Sequence, residues 1–136
     1  MLNKIPKILS PDIVKTLMEM GHGDTLLLAD ANYPAQTYGK RVVRADGLKI
    51  PELLSAILEL MPIDDYVEKP VKLMSPVEGD REPIIWEKYK SLISAEDINY
   101  LERFDFYKAS KECHVIIQTG ETAVYGNIML TKAIIN

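Results

Sequence analysis

Residues 10–30 read SPDIVKTLMEMGHGDTLLLAD, and the order of signals within them decides the fold. Ser10 is a cap-forming hydroxyl, Pro11 is preset for the first helical position, and Asp12 puts an acid in the first turn. Ile13, Val14, Leu17 and Met18 then recur at helical spacing. The pattern predicts a helix from about Pro11 to Met20, with Gly21 as the left-handed residue that ends it. Leu26-Leu27-Leu28-Ala29 is too short and too uniformly apolar for a half-exposed element, so it reads as a strand buried on both faces. Between the two, glycines flank His22 and leave its ring unshielded by neighbouring side chains. The stretch is helix, histidine-bearing turn, strand.

Working outward, Arg41-Val42-Val43-Arg44 reads as a short strand closed by the turn pair Asp46-Gly47. Pro51 opens a helix whose apolar face is Leu53, Leu54, Ile57, Leu58 and Met61, and Pro62 stops it. Val71-Lys72-Leu73-Met74 is a third strand, and Pro76-Val77-Glu78-Gly79-Asp80 a loop. Pro83 starts a further helix carrying Trp86, the only tryptophan, which reads as core or subunit contact ahead of a sugar-stacking ring. Ser94-Ala95-Glu96-Asp97 has the form of a helix-opening capping box, and Asp105 is placed to cap a short helix through Phe106, Ala109 and Ser110. Val115-Ile116-Ile117 and Asn127-Ile128-Met129-Leu130 are the last strands. Helices alternating with nearly all-apolar strands predict a single α/β domain over 1–136, a three-layer sandwich with a mainly parallel, mixed sheet covered by helices. In such sheets ligands gather at the carboxyl ends of strands, which nominates Asp30 and Thr119 to Glu121.

Composition narrows the function. The chain has 136 residues, 47% hydrophobic and 26% charged, a globular composition long enough to bury roughly two-thirds of its unfolded surface. Its formal charge of −4 and pI near 5.2 argue against nucleic acid, whose phosphates are met by clustered Lys and Arg. Cys113 is the only cysteine, so there is no intrachain disulfide and no thiolate zinc site, and a reducing cytoplasm is expected. The first residues lack a secretory pattern and no apolar run nears the ~18 residues of a spanning helix. A soluble protein with no membrane partner is expected.

His22 is the natural acid–base candidate, because an imidazole with an ordinary pKa of ~6.5 can give and take a proton at neutral pH. Local sequence divides evenly between that role and a ring that merely hydrogen-bonds the turn. Asp24 reads as a turn cap. Asp30 can accept hydrogen bonds from adjacent sugar hydroxyls, or cap the loop at Ala31-Asn32. Arg103 offers a forked donor for hydroxyl or ring oxygens, against a surface ion pair with Glu102 or Asp105. Tyr125-Gly126-Asn127 sets a phenol and a carboxamide around a glycine that admits close approach; a β-hairpin has equal weight. His114, beside Cys113, reads as structural. The Gly21-x-Gly23 pair lacks the third glycine of a dinucleotide loop, there is no Walker lysine, and two isolated histidines make a poor metal site. Cofactor-free chemistry without a metal is expected.

With these residues laid out, the chain resembles the family of D-ribose pyranase and L-fucose mutarotase nearly end to end. The likeness runs through Ile8-Leu9-Ser10-Pro11, Met20-Gly21-His22-Gly23-Asp24, Ala29-Asp30-Ala31-Asn32-Tyr33-Pro34 and Arg44-Ala45-Asp46-Gly47. It continues through Pro76-Val77-Glu78-Gly79-Asp80, Arg103-Phe104, Phe106-Tyr107, Thr119-Gly120-Glu121 and Tyr125-Gly126-Asn127-Ile128. The resemblance implies that His22 donates a proton while Asp30, Arg103, Tyr125, Gly126 and Asn127 bind the sugar. It favours the fucose branch, since the ribose branch is expected to carry a histidine near Arg103. Ala133 departs from the glycine common in the final turn, a change expected to touch backbone freedom and not chemistry. The implied activity is interconversion of L-fucose anomers by acid/base ring opening, with ribose-type pyranose/furanose exchange and non-catalytic monosaccharide binding as the alternatives. Acid at the ring oxygen would come from His22; the base is open among Tyr125, Asp30 and a held water.

An extended Thr25–Ala29 at ~3.3 Å per residue would hold His22 and Asp30 further apart than one pyranose. They are therefore expected to meet in a cleft between subunits, unless the turn folds His22 back. The resemblance implies ring-shaped homo-oligomers, decamers, in keeping with the first option.

Overall fold

In a computed structural model describing residues 1–136, Ser10 begins the first helix as its residue type dictates. Its hydroxyl accepts the Ile13 amide at 3.2 Å, Pro11 fills the first position, and α1 spans Pro11–Glu19. The end of the helix differs from expectation. Met20 leaves it in an extended conformation, and the left-handed residue is Gly23, at φ +85°, not Gly21. The Asp24 carboxylate holds the Gly21 amide at 2.8 Å and the Asp24 amide returns to the Gly21 carbonyl. That closes the turn two residues past Gly21 and puts the reversal at Gly23.

β1 (Thr25–Ala29) follows, and Leu26 to Ala29 are wholly buried. Because strand side chains alternate, Leu26 and Leu28 join one core with Val115, Ile117, Ile128 and Leu130. Leu27 and Ala29 join a second with Ile116, Met129, Phe106 and Cys113. A central strand covered on both faces has no polar side, which is why its residues are apolar in succession.

β2 (Val42–Ala45), β3 (Val71–Met74), β4 (Ile98–Leu101), β5 (Val115–Thr119) and β6 (Ile128–Thr131) complete a six-stranded sheet of order β2-β5-β1-β6-β3-β4. β1 and β2 run parallel to β5, and β3 parallel to β4. Between β1 and β3, β6 is antiparallel to both. α3 (Ile50–Leu60) and α4 (Ile85–Leu92) join α1 over the larger core, and α2 (Ala35–Tyr38) and α5 (Arg103–Ser110) supply the smaller one on the opposite face. This is the predicted three-layer α/β sandwich with a mainly parallel, mixed sheet. No helix is long and apolar enough to cross a membrane.

Two local expectations fail. Ala95–Asp97 makes a single 3-10 turn with no side-chain cap and leads straight into β4, an edge strand in which only Ile98 is fully buried. With one neighbour and little apolar burial, β4 leaves almost no pattern to read. Asp105 is not the cap of α5. Glu102 is, because its longer arm turns back to accept the Phe104 and Asp105 amides at 2.9 and 3.2 Å.

Candidate active site

The carboxyl ends of β1, β3, β4 and β5 and the start of antiparallel β6 fall on one edge of the sheet. There Asp30, Tyr33, Arg103, Tyr107, Tyr125 and Asn127 line a cleft of ≈ 240 Å³, just below the roughly 300–1,000 Å³ of drug-sized ligand sites. A larger hollow near the amino terminus, ≈ 390 Å³ between Ile5, Leu9, Val14 and Met18, is apolar and lacks convergent hydrogen-bonding groups. Size and polarity of the first suit a small, many-hydroxyl ligand.

Asp30 is buried and held by Asn127 twice. The Asp30 amide donates to Asn127 Oδ1 at 2.7 Å and Asn127 Nδ2 donates to Asp30 Oδ2 at 3.0 Å. The other carboxylate oxygen accepts the Asn32 amide at 2.9 Å. Burial raises the Asp30 pKa, and the hydrogen bonds from Asn32 and Asn127 offset only part of that rise. Asn127 thus braces Asp30 and keeps one N–H and one lone pair for a ligand.

β5 and β6 both flank β1, so residues 120–127 cross over the end of β1 and cannot form the hairpin that Tyr125-Gly126-Asn127 also suggested. α4 anchors this crossing. Trp86 Nε1 donates to the Tyr125 carbonyl at 2.9 Å and the Tyr89 hydroxyl to the Gly126 carbonyl. Trp86 is core, and through that bond it positions the site. Tyr125 takes the left-handed conformation at φ +61°, uncommon for a residue with a Cβ and sustained here by those tethers. At Gly126 a Cβ would come within 2.9 Å of the Ala123 carbonyl, so the bare backbone is required.

Arg103 heads α5 and makes no ion pair with Glu102 or Asp105. Glu102 is spent on the cap, and Arg103 Nε donates to the Tyr107 hydroxyl at 3.2 Å. Its guanidinium lies 5.5 Å from the Phe104 and Tyr107 ring centroids. The Tyr33 hydroxyl, also on the cleft wall, is buried with no partner in the chain. Thr119 and Glu121 turn out to be scaffold. Thr119 donates to the Ala29 carbonyl at 2.7 Å, and the Glu121 carboxylate accepts the amides of Ile50, Thr122 and Ala123.

His22 lies at the other end of β1. Its Nε2 is 2.9 Å from Oδ1 of Asp64, a carboxylate with 1% of its side chain exposed against 38% for the imidazole. The Tyr66 ring meets the imidazole edge-on, centroids 4.9 Å apart. The Asp64 amide bonds to the Thr131 carbonyl and its Oδ2 accepts the Val67 amide at 3.2 Å. Burial opposes the Asp64 charge, yet the hydrogen bonds from His22 and the Tyr66 and Val67 amides outweigh it and hold its pKa below the usual carboxylate range. His22 is therefore oriented by a buried acid and does not merely bond its turn. Sequence reasoning missed Asp64: it sits 42 residues from His22, in Pro62-Ile63-Asp64-Asp65-Tyr66, where nothing distinguishes it from its neighbour Asp65.

The five residues of β1, at ~3.3 Å each, separate His22 from Asp30 by roughly 16 Å. Nor does the turn fold back, because the Gly23 amide is tied to the Lys132 carbonyl at 2.9 Å. One chain holds both parts without uniting them. His114 stands at the start of β5, its Nδ1 3.4 Å from Arg41 Nη1, outside either part.

A family model described as the RbsD / FucU transport protein family matches residues 3–135. Over 96% of its length and 93% of the relative's, the chain is 46% identical to the fucose mutarotase of Mus musculus. It is 44% identical, over 98% of its length and 97% of the relative's, to the L-fucose mutarotase of Haemophilus influenzae. Among solved structures it superposes at a TM-score of 0.97, with 48% identity over 99% and 100% of the two chains, on the fucose mutarotase in complex with L-fucose from Streptococcus pneumoniae. Against Bacillus subtilis RbsD complexed with D-ribose the TM-score is 0.75, with 25% identity over 94% and 95% of the two chains.

Proposed function

This chain belongs to the RbsD / FucU family, and from that premise we propose that it is an aldose mutarotase, an isomerase interconverting the α and β anomers of L-fucose. The observation that carries the reading is the cleft at the strand ends, where Asp30 is fixed by Asn127 beside Arg103 and Tyr125. It occurs in a fold nearly superposable on one solved with that sugar. Asp30, Arg103, Tyr125, Gly126 and Asn127 hold the monosaccharide. His22, oriented by Asp64, protonates the ring oxygen; a base takes the proton of the anomeric hydroxyl; the C1–O5 bond opens to the aldehyde, which rotates and recloses. Acid and base suffice for this exchange, and no electrons change hands.

Because the acid and the sugar-binding groups lie at opposite ends of one strand, the working site is formed between two copies of the chain, His22 and Asp64 from one and the cleft from the other. The assembly proposed is a ring-shaped homodecamer in the cytoplasm, a compartment suited to the free thiol of Cys113. NMR exchange spectroscopy of L-fucose tests the function. Wild-type protein gives cross-peaks between the anomeric signals, and His22→Ala loses them; equal exchange in both would overturn the assignment. D-ribose ranks second as substrate, on the more distant likeness to the ribose-bound structure.

A further inference from the structure

The turn Val77–Asp80 is tied to the cleft through a single phenol. It is closed by the Asp80 amide on the Val77 carbonyl at 3.0 Å, with Gly79 left-handed at φ +93°. This shape aims two groups at Tyr125. The Tyr125 hydroxyl donates to Asp80 Oδ2 at 2.6 Å and accepts the Val77 amide at 3.3 Å. The Asp80 carboxylate takes part in none of the chain's ion pairs, and a separation of 2.6 Å is that of a charge-assisted O–H···O⁻ bond.

A phenol whose hydrogen is committed in this way has only a lone pair left for a ligand. We propose that Asp80 is a positioning residue that fixes Tyr125 as a proton acceptor, so that the base of the ring-opening step is the Tyr125–Asp80 pair. The inference rests on the reading that Tyr125 meets the sugar in this cleft. The proton of the anomeric hydroxyl passes to Tyr125 Oη while the hydrogen already on Oη passes to Asp80 Oδ2. The O–H electron pair becomes the C1=O π bond, the C1–O5 pair goes to O5, and O5 takes a proton from His22. Ring closure on the other face returns each proton to its origin.

The charged and titratable groups around the phenol are Asp80 from the loop after β3, Arg103 and Tyr107 from α5, and Asp30 and Tyr33 from the end of β1 and the turn after it; α4 contributes the neutral indole of Trp86 and the Tyr89 phenol, whose hydrogens go to the Tyr125 and Gly126 carbonyls. Asp80 raises the Tyr125 pKa above the usual tyrosine range, against the Val77 amide and Arg103, which lower it.

Asp80→Asn keeps the shape and an acceptor oxygen but cannot take a proton. In the full-length protein it should slow L-fucose anomer exchange at saturating sugar by at least about 10-fold, while half-saturation moves less than about threefold. The Tyr125 phenol, assigned by ¹³Cζ difference against Tyr125→Phe, should titrate at lower pH in Asp80→Asn. The double variant should be no slower than Tyr125→Phe alone. A wild-type rate in Asp80→Asn, or an unmoved phenol titration, overturns the inference and leaves the mutarotase reading intact. A wild-type protein that exchanges no aldose anomers overturns that reading and this inference with it.

Discussion

Asp30 and Asp64 are both buried, yet their environments push them in opposite directions. Asp30 is dominated by loss of solvent and its pKa is raised; Asp64 has enough donors to be lowered despite burial. The lowered acid contributes stability that is present above the ordinary carboxylate pKa of ~3.9 and is lost as pH falls through its folded value. The raised acid works the other way, its contribution weakening as pH climbs from ~3.9 through the folded value. Thermal melts between pH 2 and 6 should therefore show Asp64→Asn losing less stability on acidification than wild type. At neutral pH the same variant should exchange L-fucose anomers at least about 10-fold more slowly. With the Val67 amide holding the new amide oxygen, the NH2 group faces His22 Nε2 and selects the other tautomer, the fault an amide creates when it replaces a histidine-orienting aspartate. Asn127→Ala strips partners from the Asp30 amide and one carboxylate oxygen. It should cost about 1–3 kcal/mol in denaturant unfolding and weaken fucose binding when the sugar is titrated into the protein and followed by NMR.

Among the elements, α5 and the crossing between β5 and β6 set the cleft. Glu102→Ala releases two amides at the start of α5 and should cost about 1 kcal/mol. Arg103 is the first residue of that helix, so its aim should loosen too. The kinetic signature is a raised half-saturating fucose concentration with the saturated exchange rate nearly kept. Gly126→Ala forces the crossing away from the Ala123 carbonyl and drags Tyr125 and Asn127 with it. Loss of both binding and exchange, with the global fold retained by circular dichroism, is the expected outcome. Both effects arise from where a backbone is held and not from the chemistry of the substituted side chain.

The molecule as a whole carries His22 and Asp64 at one end of β1 and the cleft lined by Asp30 and Asn127 at the other. A site composed from two copies predicts complementation. His22→Ala and Asp30→Asn proteins, each inactive alone, should regain exchange when denatured together and refolded as a mixture. Random assembly would give about a quarter of the clefts an intact acid opposite an intact pocket. An inactive mixture whose size by light scattering matches the wild-type assembly would reject the shared cleft. Exposed apolar residues beside both half-sites, Tyr66 and Val67 near His22 and Val77, Phe104 and Val124 around the cleft, are where such copies would meet.

What could be read from the chain alone is what local chemistry controls. Ser10-Pro11 starts a helix, Leu26 to Ala29 must lie inside a covered sheet, Val71–Met74 is a strand, and Asp30 follows β1 at the edge where ligands collect. These depend on neighbours a few residues away or on the number of faces an element buries. The edge strand β4 and the early start of α5 escaped, because one had little apolar surface to announce it and the other used a glutamate as its cap. Only the folded chain could decide that Asp64 holds His22, that Asn127 is the brace of Asp30, and that Asp80 engages Tyr125. Those pairs are separated by 42, 97 and 45 residues, and a hydrogen bond across such a gap depends on how the sheet is ordered. The crossing of 120–127 over β1 exists because β5 and β6 flank the same strand, a fact of topology that no short stretch of sequence encodes.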